Sequence, residues 1–338
     1  MSMLRFNQRA LALTATLATL AGCNVNVAPN LPTLVNSSRI VPEAAMTFAG
    51  PDREESWMSP EAAKATNLLY ISDIGRYIVH VYTLPALKLV GKLTGFSQPQ
   101  GECSDARGNV WIADSNTREL FEYAHGGKAP IGALLDPTGY PVACAVDLRN
   151  GNLAVSNIFD FSGAGGVLVY RHAAGTPRSY SNPHQFFYYF AGYNSAGDLY
   201  VSGQTYSHAF ILSRLPKGRG VMSTVSITGG SIDFPGTVQW VRSTLVLGDQ
   251  KCRDSKSSCL YEASVSGRTA KITHLTRFID ACDVAQVQIR DSRIIGGEYE
   301  HCGHGVSSTD VWAFPGGGNP IKRAGGVEQP VGAAISPR

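Results

Sequence analysis

PQGECSDARGNVWIADSNTRELFEY, residues 99–123, reads as two hairpin-linked strands behind a turn. Pro99 and Gly101 open the stretch, and Gly108-Asn109 turns the chain into Val110-Trp111-Ile112-Ala113-Asp114. A further apolar run, Leu120-Phe121-Glu122-Tyr123, follows. Short β-branched and aromatic runs bounded by Gly, Asn and Asp are strand signals. Working outward, the same second strand returns as Leu69-Tyr70-Ile71, Leu153-Ala154-Val155, Leu199-Tyr200-Val201, Leu245-Val246-Leu247 and Ile294-Ile295. The residue at its end is Asp73, Asp114, Asn157, Gly203, Asp249 or Glu298, at spacings of 41, 43, 46, 46 and 49 residues. A period of roughly 40 to 50 residues is that of one four-stranded blade. Such a sheet cannot bury both apolar faces alone, but stacked neighbours can. The expectation is an all-β chain, a six-bladed β-propeller.

The innermost strand of each blade sits in the crowded centre and calls for small residues. Gly101-Glu102-Cys103, Ala143-Cys144-Ala145 and Gly332-Ala333-Ala334 supply them, whereas residues 186–194 run to aromatics instead. The first repeat begins at its second strand, residues 69–73, and the last segment, residues 329–335, is an inner strand with no second strand after it. One blade is therefore expected to be built from both ends of the repeat region, closing the ring and removing an open sheet edge.

Pro99-Gln100-Gly101, through Trp111-Ile112-Ala113-Asp114 to Arg118 and Phe121, resembles the NHL repeat, a blade of extracytoplasmic and ligand-binding propellers. The resemblance spans residues 67–338 and is sharp in this one copy. It implies the fold more than an activity, since such propellers include lactonases, lyases, sensors and binding scaffolds.

Ahead of the repeats, Arg5 and Arg9 precede an uncharged apolar stretch, residues 10–20, and then Leu20-Ala21-Gly22-Cys23. A helix of that length measures about 16 Å, short of the roughly 30 Å hydrocarbon core, so a membrane span is disfavoured. The four residues resemble the lipobox of bacterial lipoproteins, which implies acylation of Cys23. The other reading is an ordinary secretory signal cut nearby. The expected layout is a signal peptide at 1–22, a polar, proline-punctuated tether at 23–66 and the propeller at 67–338. Residues 60–66 read as a short helical turn, and the tether either lifts the propeller off a membrane or docks on it. The expected location is extracytoplasmic, in the periplasm or at the cell surface.

Seven cysteines leave an odd one, and setting Cys23 aside leaves six, enough for three bridges in an oxidising compartment. Cys252 and Cys259 flank a polar hairpin insertion and are expected to pair. Cys282 precedes an inner strand and Cys302 follows the next strand of the same blade, which puts both at one rim. Cys103 and Cys144 lie on neighbouring inner strands, where a bridge competes with two buried thiols.

Chemistry is sparse. There is no nucleophile elbow, zinc-protease helix, P-loop or dinucleotide fingerprint, and Gly163, Gly165, Gly166 and Gly316 to Gly318 read as turn residues. Glu298, His301 and His304, with Tyr299 and the Cys282-Asp283 pair, form the densest polar cluster, a set with donors suited to Zn²⁺. The strand-end residues Asp73, Asp114, Asn157, Asp249 and Glu298 offer oxygen donors around one face. By resemblance to calcium-dependent lactonases of similar fold they would hold Ca²⁺; alternatively, they accept hydrogen bonds from turns.

The expected role is binding, not catalysis, at one rim, with Asp73, Asp114, Asn157, Asp249, Glu298, Tyr299 and His184 as candidate ligand contacts. Phe96, Tyr140, Tyr206 and Trp57 are further candidates. The partner is a protein, peptide or carbohydrate, the chain is a monomer, and no cofactor is required; a metal-dependent hydrolase or lactonase is the alternative. A net charge of +3 with scattered Lys and Arg argues against nucleic acid.

Overall fold

The computed structural model describes residues 55–338 apart from 254–256, 300, 301, 303 and 304. Its first sheet holds β1 (Trp57–Met58), β2 (Asn67–Asp73), β3 (Ile78–Thr83) and β4 (Lys88–Leu93). A second comprises β5 (Pro99–Ser104), β6 (Val110–Asp114), β7 (Glu119–Tyr123) and β8 (Pro130–Leu135), and a third β9 (Gly139–Asp147), β10 (Asn152–Asp160), β11 (Gly166–Tyr170) and β12 (Arg178–Tyr180). Next come β13 (Phe187–Tyr193), β14 (Leu199–Gln204), β15 (Phe210–Leu215) and β16 (Ser223–Thr228), then β17 (Pro235–Val241), β18 (Thr244–Asp249), β19 (Cys259–Ser266) and β20 (Thr269–Arg277). These two sets share one eight-stranded sheet, because β16 pairs with β20 in parallel over Ser226 to Thr228. The last sheet is β21 (Val287–Arg290), β22 (Arg293–Glu298), β23 (Ser308–Ala313) and β24 (Gly317–Ala324), and β25 (Pro330–Pro337) ends the chain.

From β2 onward, neighbours in sequence within each set are neighbours in space and run antiparallel, while β1 pairs with β4 at the outer edge of the first sheet. A second exception closes the ring: β25 pairs with β2, from Asn67 opposite Pro337 to Asp73 opposite Pro330, so the first sheet has the order β1-β4-β3-β2-β25. Inner strands then pack in succession, β25 on β5, β5 on β9, β9 on β13, β13 on β17, β17 on β21 and β21 back on β25. The molecule is a β-propeller.

Position in the sheet explains the sequence pattern. Middle strands are covered on both faces, so β2 and β6 read as continuous apolar runs; the outermost β8 has no buried residue. Tyr70, Val79 and Val81 of the first sheet meet Val110, Ile112 and Tyr123 of the second. Trp111 and Leu120 of the second meet Leu153, Val155 and Tyr170 of the third. Each such buried side chain stabilises the fold by about 1.5 to 3 kcal/mol, so most of the stability lies between sheets.

Small residues on the inner strands have a steric cause. A Cβ on Gly332 of β25 would collide with the carbonyl oxygen of Gln100 on β5. The aromatic strand β13 fits because Tyr188 turns into the space between sheets, where its hydroxyl accepts the Asn182 N–H at 2.6 Å. The ordered fold also begins before residue 67: Trp57 and Met58 pair with Lys92 and Gly91, Ala62 is fully buried, and residues 62–64 form a single helical turn. Of the segment expected to be a tether, then, residues 57–58 and 62–64 pack on the propeller, and residues 23–54 lie outside the described residues.

Candidate functional site: an aromatic rim and its cleft

The expected bridges are present. Cys103 and Cys144 join neighbouring inner strands at a Cα separation of 5.6 Å, Cys252 and Cys259 close the β18–β19 insertion at 5.6 Å, and Cys282 and Cys302 meet at 4.8 Å.

The strand-end residues are occupied by the fold itself. Asp73 accepts the N–H groups of Glu328 and Gln329 at 2.8 Å each, that of Gly75 at 3.2 Å, and a bond with His80 at 3.3 Å. Asp114 accepts from Ser97 and Gln98, and Asp249 from Asp233 and Phe234, each pair at 2.7 to 3.0 Å. In each case a pair of neighbouring main-chain donors, at 328–329, 97–98 or 233–234, lies in the loop that delivers the inner strand of the same sheet, so the carboxylate pins that loop. Asn157 donates to Thr138 Oγ1 at 3.0 Å, and Glu298 Oε1 lies 3.4 Å from the Cys282 N–H, a weaker version of the same contact. Gly203 breaks the series: a Cβ there would strike Phe187 O and the Gln185 amide, which occupies the place of the missing carboxylate.

All four carboxylates are fully buried. Burial pushes Asp73 up, but the bonds from His80, Gln329 and Glu328 outweigh it and hold the group below the usual carboxylate range. For Asp114 and Asp249 burial wins despite their N–H donors, and both are raised. Among the described residues no group of three or more His, Cys, Asp or Glu is placed to hold a metal ion. His301 and His304 lie outside the described residues, as does Cys23. Tyr299 packs partly against Ile74 and Val331.

An amide links two inner strands, β5 and β25. Gln286, leading into β21, donates from Nε2 to Glu102 O at 2.7 Å, and its Oε1 accepts the N–H of Glu102 and of Ala333 at 2.9 and 3.0 Å. Beside it the Glu102 carboxyl is wholly buried; burial pushes it up to about 8, against the pull of the Ser72 hydroxyl at 2.6 Å.

What does face solvent is an aromatic rim around the end of β10. Phe161 is 59% exposed, packs edge-on against Tyr140 at 6.0 Å, and carries the Arg118 guanidinium 5.3 Å from its ring centre. Two residues earlier, Phe159 meets Phe187 at 5.1 Å, and Phe187 contacts Phe186 and His208. Phe186 in turn meets Tyr206, which is 79% exposed, at 5.1 Å. Beside the Phe186 and Tyr206 rings opens a cleft of about 330 Å³, also walled by Thr138, Asp160 and His184.

One of its walls, the Asn182–His184 loop, is held firmly. Asn182, buried, donates to Ser213 Oγ at 2.8 Å and Thr224 Oγ1 at 2.9 Å, and its Oδ1 accepts the His184 N–H at 3.1 Å. A fixed wall beside exposed rings suits recognition, because less order remains to be imposed on binding.

Of the residues singled out in the sequence, the structure brings Tyr140, His184 and Tyr206 to this rim. Trp57 lies on the perimeter instead, on the outermost strand. Phe96 is 1% exposed and packs on Phe121 and Tyr123, so it belongs to the core; the loop carrying it is drawn inward by Asp114. Phe159, Phe161, Phe186 and Phe187 were not anticipated at the rim. The aromatic density of residues 159–161 and 186–187 was the available signal.

No protein-family model matches the chain, and no curated protein matches it. Solved structures resemble it. A chain of a nidogen/laminin complex superposes with a TM-score of 0.61 at 10% identity, over 80% of this chain and 98% of that one. TolB from Acinetobacter baumannii gives 0.57 at 10% identity, over 81% and 67%. A Bacteroides caccae protein of unknown function gives 0.59 at 10%, over 80% and 99%. At this identity the likeness extends to the fold alone.

Proposed function

We propose that this chain is an extracytoplasmic propeller of six blades, the eight-stranded sheet counting as two, that binds a partner protein across the aromatic rim. The observation that carries the reading is the pair of exposed rings, Phe161 and Tyr206, beside a cleft whose Asn182–His184 wall is fixed by a buried hydrogen bond. Large exposed aromatics are costly to leave in water and are characteristic of contact surfaces. A similar chain crystallised within a nidogen/laminin complex supports a protein as the partner. Three disulfides support an oxidising compartment. Acylation at Cys23 tethers a monomer to a membrane, and the strand-end carboxylates Asp73, Asp114 and Asp249, committed to N–H donors, serve the fold.

The test is co-purification from a native envelope extract. The Phe161→Ala/Tyr206→Ala double variant is expected to lose a partner that the wild type retains, with no change in unfolding midpoint. Undiminished recovery of the same partner by the double variant refutes the assignment of the rim.

A further inference from the structure

Resting on that reading of the rim, we propose that the cleft between the β10–β11 loop and the β14–β15 loop receives an arginine side chain of the partner protein, paired with Asp160 and stacked on Tyr206. The chemistry of the walls selects the ligand. Among the described residues lining the cleft, Asp160 is the one carboxylate, and no lysine or arginine offsets it. Its Oδ1 accepts the Ser162 N–H at 2.6 Å and the Ser162 hydroxyl at 2.5 Å, which fixes the group and leaves Oδ2 for a ligand. The open acceptor in the cleft wall is thus Asp160 Oδ2, and a ligand that fills it supplies donors.

The rings choose between cations. Phe186 and Tyr206 meet edge to face at 75°, which leaves the Tyr206 ring open to solvent. A guanidinium stacks flat on such a face while its edge donates to a carboxylate, a combination that the compact lysine ammonium achieves less well. The same rim already holds one guanidinium in this way, that of Arg118 over Phe161. At about 330 Å³ the cleft suits one long side chain more than an oligosaccharide.

The probes are acetyl-Ala-Ala-Arg-Ala-Ala-amide and its citrulline counterpart, which keeps the shape and loses the charge, titrated against the full mature chain by NMR or calorimetry. The arginine peptide is expected to bind at least tenfold more tightly than the citrulline peptide. Asp160→Asn and Tyr206→Ala should each abolish most of that preference, while Asp291→Asn, distant on the β21–β22 turn, should leave it unchanged. Equal binding of the two peptides, no binding of either, or displacement of the arginine peptide by a neutral disaccharide overturns the proposal. Because the peptide comparison needs no variant, misfolding of a mutant does not blunt it. Should the rim capture a partner that shows no arginine preference, this inference fails and the binding role of the rim stands.

Discussion

Asp73 Oδ1 accepts the main-chain N–H of Gln329 at 2.8 Å, across 256 residues of chain. With the neighbouring bond from Glu328 it ties the loop before β25 to the sheet that β25 completes, so the closure of the ring rests on a charge-assisted contact as well as on strand pairing. Asp73→Ala strands buried donors and is expected to cost about 2 to 4 kcal/mol, and Asp73→Asn, which keeps one acceptor, about half as much. Denaturant unfolding of both variants checks the order; equal midpoints for wild type and Asp73→Ala would show that the contact is dispensable.

Glu102 makes the fold sensitive to alkali. Its carboxyl is ordinarily near 4.5 and rises to about 8 when buried on β5. Between those values the unfolded chain has released the proton while the folded chain holds it, so stability falls as pH rises through this window and levels off above it. The unfolding midpoint is expected to decline from about pH 5 to pH 8, and Glu102→Gln to remove that part of the decline. A variant whose slope matches the wild type would place the sensitivity elsewhere.

Architecture was largely legible because it is periodic: each blade needs the same apolar strand and the same turn, and the cysteine pairs follow from which strands neighbour each other. The role of the strand-end acids was not. Asp114 and Asp249 take their donors from residues 15 to 17 positions away and Asp73 from more than 250, contacts that only the folded chain assembles. Phe159, Phe161, Phe186 and Phe187 escaped notice for the opposite reason, since each belongs to one strand end or loop and repeats nowhere. Phe96 misled because its position between strands suggested exposure, whereas the pinned loop turns it into the core.

The disulfides should rank by the chain they enclose. Separations of 41, 20 and 7 residues correspond to about 4, 3 and 2 kcal/mol in the chain-entropy account. Serine replacement is therefore expected to lower the midpoint most at Cys103, less at Cys282 and least at Cys252. Unreduced peptide mapping checks the pairs directly; any other partner for Cys302 contradicts the placement of the Cys282 loop.

Metabolic labelling with a fatty acid addresses the anchor. Wild type is expected to incorporate label and Cys23→Ser to lose it, appearing as an uncleaved precursor or a soluble form. Wild-type protein that is unlabelled and fully soluble would reduce the leader to an ordinary secretory signal.

The claim that the aromatic rim is the working surface is tested most directly by photo-crosslinking in intact cells. A photoreactive residue replaces Tyr206, Phe161 or, as a control, Ile131, which is 58% exposed on the outermost strand β8. The account predicts one discrete adduct shared by positions 206 and 161 and absent at 131. No adduct from the two rim positions, or the same adducts from all three, would contradict it.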